Sequence, residues 1–318
     1  MIKKTIGEIL EETVNLFPDN DALVYKNRNL ILSYFEFNEY CNNLAKSLMD
    51  FGVKRRDHIA VWANNIPEWI FLQFASAKIG AVLVTVNTYY KSFELEYLLK
   101  QSDAKMLSLT NGFKDVNYIK MLNKIIPKLN DFINCDIKSD KFPFLRNIVF
   151  LGDEKQDGMI NFRDLLSLGK NITDEEFEKR TTSLHYNDTI NMQYTSGTTG
   201  FPKGVMLSHY NIINNAYFVG KTMGLTYLDR MCIPVPFFHC FGCVLSTLNC
   251  VVHGSTMVPI ETFDAEEVLK TVEKEKCTVL QGVPTMFISE LNHPNFDKYD
   301  LKSLRTGIIA EDLHVQLR

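Results

Sequence analysis

The run AVLVTV (81–86) sets six residues in a row with no charged member and no alternation of apolar with polar. A strand with one face in water alternates, whereas a strand covered on both faces does not. Two stretches of helical period flank it: IPEWIFLQFASAKIG, with Pro67 in its first turn, and SFELEYLLKQSDA, read as capped by Ser92. HIAVW (58–62) precedes the first and KMLSL (105–109) follows the second. Strands and helices alternating in this order specify a parallel sheet with helices on its faces.

The pattern weakens between residues 111 and 180, around one clear strand, NIVFL (147–151). It returns as strand TINMQYT, helix LSHYNIINNAYFVG, strand MCIPVP, helix CFGCVLSTLNCVV and strand STMVPI. Helix DAEEVLKTVEKEK, strand CTVLQG, helix PTMFISEL and strand LRTGII complete it. No Pro- or Ser-rich linker interrupts the chain, so the expectation is one large α/β domain with two subregions.

Composition narrows the partners. With 34 basic and 38 acidic side chains, the formal charge of −4 offers no field for nucleic acid or an anionic membrane. Glu8, Glu11 and Glu12 break any apolar leader after Lys3 and Lys4. No run reaches the roughly 18 apolar residues of a membrane-spanning helix. Seven irregularly spaced cysteines point to reduced thiols and a cytoplasmic setting.

Within HCFGCVLSTLNCVVH, Cys240, Cys243, Cys250 and His253 have zinc-like spacing. On one helix, however, Cys240 and His253 stand about 20 Å apart, too far to share a metal. No metal ligands are assigned.

The densest polar signal is YTSGTTGFPKG (194–204), which packs three glycines, three threonines, a serine and a lysine between apolar segments. Placed after a strand and before a helix, such a loop brings backbone N–H groups and hydroxyls close to a phosphate. Lys203 adds a positive charge suited to a polyphosphate. It is not a Walker A loop, because Pro202 and Gly204 flank the lysine where that motif needs Gly and Ser/Thr. A flexible linker is the competing reading, but it does not account for Pro-Lys-Gly running straight into an apolar segment.

YTSGTTGFPKGVMLSH closely resembles the phosphate-binding motif of the adenylate-forming (AMP-binding) superfamily. The stretch from Ser33 to Asn87 resembles the N-terminal region of those enzymes, and PVPFFHCFG and GVPTMF resemble two of their substrate-site segments. The run from Met192 to Gly307 looks most like the medium-chain fatty acyl-CoA synthetase branch. The resemblance covers nearly the full chain and implies the large α/β N-terminal domain of that family, with two subdomains of mostly parallel sheets flanked by helices.

It further implies ATP-dependent activation of a carboxylic acid to an acyl-adenylate, followed by transfer to coenzyme A, with Mg²⁺ sharing the phosphate charge. Thr195, Ser196, Gly197, Thr198, Thr199, Gly200, Phe201, Pro202 and Lys203 would hold the phosphates, Lys203 stabilising the departing pyrophosphate. Phe238 and His239 would border the adenylation site, and Gly282, Val283, Pro284 and Thr285 would line the acyl pocket. Taken alone, His239 reads as well as a histidine satisfied at a helix start, and GVPTMF as a strand-to-helix corner. Amino-acid-activating relatives tend to carry Phe-Asp where this chain has Phe237-Phe238-His239, so a plain acid is favoured.

The family's adenine platform, ribose-binding aspartate, hinge and small C-terminal lid domain are not found within residues 1–318, and Ala310–Arg318 departs from the family pattern. The reading is therefore an N-terminal domain incomplete at its C-terminal end, of low or no activity and prone to self-association. The alternative is a catalytically inactive nucleotide- or acyl-binding or interaction protein of the same descent.

Overall fold

A computed structural model describes residues 1–127, 129, 136–195 and 202–310. The chain divides into two compact units. The first comprises Met1–Glu8 with Glu39–Ile212, and the second Ile9–Asn38 with Ile213–Arg318.

The first unit is built on a seven-stranded sheet in the order Lys203–Ser208, Thr189–Thr195, Val82–Thr85, His58–Trp62, Ala104–Leu109, Asn147–Phe150, Ile160–Asn161. All neighbours run parallel except the first pair. Val82–Thr85 is buried at every residue, as an unalternating run requires. Leaving that strand, the chain crosses the His58–Trp62 strand to reach Ala104–Leu109, over the helix Ser92–Gln101. Ser92 is the first residue of that helix and not its cap; Glu94 accepts the N–H of Lys91 instead. Trp62 packs flat on Tyr118, ring centroids 3.6 Å apart, and Trp69 is wholly buried on the helix Pro67–Lys78.

The second unit carries a six-stranded sheet in the order Thr306–Ile309, Val279–Gly282, Arg230–Ile233, Thr256–Pro259, Asp21–Tyr25, Leu30–Ser33. It is parallel except for the last pair. Charge-assisted bonds pin the amino ends of its strands: Arg230 reaches Asp21 at 2.7 Å and Glu275 at 3.0 Å, and Asp229 accepts from Arg305 and from Thr278. The Asp229 carboxyl lies below its ordinary range although burial opposes this, because Arg305, Thr278 and the Thr226 N–H all donate to it. The carboxyl ends are left to the loops.

The two N-terminal strands of this sheet escaped the pattern reading. Leu23 pairs with Met257, a partner far along the chain that no local period reveals. Among the described residues, no helix is long and apolar enough to cross a membrane.

Candidate functional site

In the first unit, the glycine-hydroxyl stretch joins two antiparallel strands, with Thr195 paired to Lys203. This corrects the strand-to-helix reading: Lys203–Ser208 is a strand, and helix His209–Met223 begins only after it. The stretch thus links two paired strands at a sheet edge, and the helix-terminus argument for phosphate binding does not apply to it. Ser196, Gly197, Thr198, Thr199, Gly200 and Phe201 lie outside the described residues.

At the neck, Thr195 and Lys203 are both exposed, so a hydroxyl and an ammonium open side by side to solvent. Polar groups brace the strand beneath them. Gln193 donates to Asn191 at 2.9 Å, Thr85 donates to the Met192 carbonyl at 3.4 Å, and the Tyr194 hydroxyl donates to Gln101. Burial pushes the Tyr194 phenol well above its usual range, so it remains a donor. Hydroxyl and ammonium donors at one mouth suit a polyphosphate. Among the described residues, no three His, Cys, Asp or Glu side chains gather as metal ligands.

In the second unit, the other two predicted segments leave neighbouring parallel strands at the same end. Arg230–Ile233 runs into Phe238-His239, and Val279–Gly282 runs into Val283, Pro284 and Thr285. From Arg230–Ile233 the chain goes to Thr256–Pro259 on one side, then crosses back to Val279–Gly282 on the other. The crevice beyond two such strands is the topological switch point, where open parallel sheets bind ligands.

Phe237 is buried, Phe238 half-buried and His239 exposed. His239 caps the helical segment that starts at Cys240, its Nδ1 accepting the Phe241 N–H at 3.2 Å. That bond reserves Nδ1 as an acceptor, so the neutral ring carries its proton on Nε2. The helix-start reading of His239 therefore holds, and it fixes the tautomer as well. Gly242 closes the turn under Pro236: a Cβ at this position would lie 2.2 Å from the Pro236 carbonyl oxygen. Val283 precedes helix Pro284–Leu291, with Pro284 in its first turn, as the sequence indicated. Gly282 is buried and pairs with Ile309, and Thr285 is exposed.

Two features escaped the sequence reading. The helix after His239 is not uniform; Cys243–Leu248 forms a π-helical turn before Asn249–His253 resumes the α form. Gln281, wholly buried beside Gly282, reaches across to that turn. A glutamine within CTVLQG carries no local signal of such a role.

The AMP-binding enzyme family model matches residues 10–317. YngI of Bacillus subtilis (strain 168), which carries an acyl-CoA synthetase name, is 54% identical over 310 residues, covering 98% of this chain and 56% of its own length. The mitochondrial medium-chain acyl-CoA ligase ACSF2 of Danio rerio is 37% identical over 309 residues, covering 96% of this chain and 51% of its own. The chain thus spans about half the length of the curated relatives it matches. Among solved structures, the anthranilate CoA ligase AuaEII in complex with anthranoyl-AMP superposes with a TM-score of 0.81 at 23% identity, over 98% of this chain and 56% of that one. The α/β fold is therefore shared with adenylate-forming enzymes, and the chain belongs to the AMP-binding enzyme family.

Proposed function

We propose that the chain handles ATP and a fatty acid in an acyl-CoA synthetase reaction. The acid's carboxylate attacks the α-phosphorus of ATP, the bond to the β,γ-unit breaks, and acyl-adenylate and pyrophosphate form. The thiol of coenzyme A then displaces AMP to give the thioester. Lys203 and Thr195 supply donors to the triphosphate from the hairpin neck, where charge builds on the leaving pyrophosphate. His239 presents Nε2–H as a donor that orients the carboxylate.

The observation that carries this reading is the pair of corners at the switch point of the second sheet. They bring Phe238, His239 and the Gly282–Thr285 segment to one end of two adjacent strands with no Asp or Glu among them. An apolar corner without a carboxylate suits an acyl chain better than an ammonium-bearing acid. The ligase names of the relatives support the same substrate class.

Carboxylate-dependent ATP–pyrophosphate exchange, run over short to long fatty acids, tests it. The expected result is exchange that peaks at one chain length and falls about a hundredfold in Lys203→Ala. Silence with every acid sinks the claim that this chain performs activation.

A further inference from the structure

The helix between His239 and His253 is clamped at both ends. At its head, Gly242 lies against Pro236, where a Cβ would sit 2.2 Å from the carbonyl oxygen. At its foot, Asn249 and His253 press on Gly220, where a Cβ would meet Asn249 Oδ1 and His253 Cε1, each at 2.3 Å. One residue too many for an α-helix is held between these clamps, and the π-helical turn Cys243–Leu248 absorbs it.

Its hydrogen bonds show the mechanism. In an α-helix the Asn249 N–H would bond to the Leu245 carbonyl; here it goes to Val244 and Ser246. Leu245 O is served by two side chains instead, Gln281 Nε2 at 3.0 Å and Asn249 Nδ2 at 3.2 Å. Of these, only Gln281 comes from outside the helix. It stands on the neighbouring strand, next to the acyl corner, with its Nε2 also 3.5 Å from Met231 Sδ. Its Oε1 is buried and accepts no hydrogen bond.

We propose that Gln281 is a positioning residue, whose amide donated to Leu245 holds the π-helical turn open and so sets the placement of His239 at the head of that helix. The inference rests on the acid-activating reading for its functional half. Closing the turn to α would rotate one end of the helix by about 100° relative to the other, and three residues separate the turn from His239.

The chain provides a reporter. Among the described cysteines, Cys240 is exposed next to His239, its Sγ 3.8 Å from Nδ1, whereas Cys41, Cys232, Cys243, Cys250 and Cys277 are buried. Gln281→Met keeps the shape, removes the unpaired acceptor and leaves Leu245 O its bond from Asn249, so the variant folds. Gln281→Glu keeps the shape and turns an acceptor toward Leu245 O. The experiment compares both variants with the parent chain by iodoacetamide alkylation of Cys240 followed by peptide mass mapping, by amide exchange over residues 244–250, and by KM for acid and for ATP in the exchange assay.

The expected result is a change of about fivefold in the Cys240 rate and in KM for the acid, the share of one hydrogen bond. KM for ATP stays unchanged, and Gln281→Glu exceeds Gln281→Met. Unchanged Cys240 reactivity and amide exchange in both variants overturn the proposal. If these move but KM for the acid does not, its functional half falls. If the parent shows no acid-dependent exchange, the acid-activating reading fails, while the thiol and amide measurements still decide whether Gln281 holds the turn.

Discussion

The first unit carries its candidate ligand groups on a hairpin at the edge of a sheet, and the second carries them at the carboxyl ends of two strands inside one. Both sheets are parallel with a single antiparallel strand at one edge. They differ in how the backbone is constrained where function is placed. At the hairpin, side chains project from a ladder with room around it; at the inner corners, backbone packs directly on backbone. The neck of the hairpin can thus change composition at little structural cost, whereas the inner corners tie chemistry to packing.

Alanine at the glycine of each region tests this contrast most sharply. Gly242→Ala forces a methyl group onto the Pro236 carbonyl and to 2.8 Å from Phe237 Cα, both backbone atoms. Urea unfolding is expected to show a loss of about 3 kcal/mol. A loss below about 1 kcal/mol would mean the turn opens freely and the contrast is false.

The two units are also expected to respond oppositely to pH. Glu290, on the helix Pro284–Leu291 of the second unit, has its carboxyl pushed by burial from 4.5 up to about 7. The folded form therefore holds the proton more tightly than the unfolded chain, and stability is lost as pH rises from about 4.5 through 7. His209, in the first unit, accepts the Ile6 N–H at 3.1 Å and is pushed by burial from 6.5 down to about 4. There the unfolded chain binds the proton more tightly, and stability is lost as pH falls from about 6.5 through 4. Each displacement corresponds to about 3 kcal/mol at full expression. The two windows overlap, so the slopes offset each other in the parent between about pH 4.5 and 6.5. Urea midpoints between pH 4 and 8 should rise with pH in Glu290→Gln and fall with pH in His209→Asn. A variant that keeps the parent's nearly flat profile would assign the corresponding slope elsewhere.

Gly204→Ala belongs at the mild end. Its Cβ would approach Met192 Sδ at 3.1 Å and Gln101 Oε1 at 3.3 Å, both tips of flexible side chains, so the cost is expected below about 1 kcal/mol. Lys203→Ala should be milder still, within about 0.5 kcal/mol by the same urea unfolding, because the side chain is exposed. Any larger loss would make Lys203 part of the hairpin's fabric and blur its reading as a ligand group.

The same difference explains what was legible beforehand. Strand Thr189–Thr195 and helix Pro284–Leu291 match the sequence reading to the residue, since each has a clear period and a clear stop. Lys203–Ser208 was missed because Lys203, Val205 and Met206 are all exposed, so an edge strand shows no alternation. The hairpin's hydroxyls announced themselves by composition; the GVPTMF corner was legible as a strand-to-helix turn, and only its substrate role came by resemblance. The π-helical turn and its glutamine announced themselves by neither, because an extra residue becomes visible only when both ends of the helix are clamped.

Both tryptophans of the chain, Trp62 and Trp69, are buried in the first unit, and the second has none. Indole fluorescence on unfolding is therefore a one-sided instrument. It follows the environment of the hairpin sheet and is blind to the sheet bearing His239 and Gln281. A single sharp optical transition would certify one half of the molecule, and an unchanged emission spectrum in a variant of the other half would carry no information about its integrity.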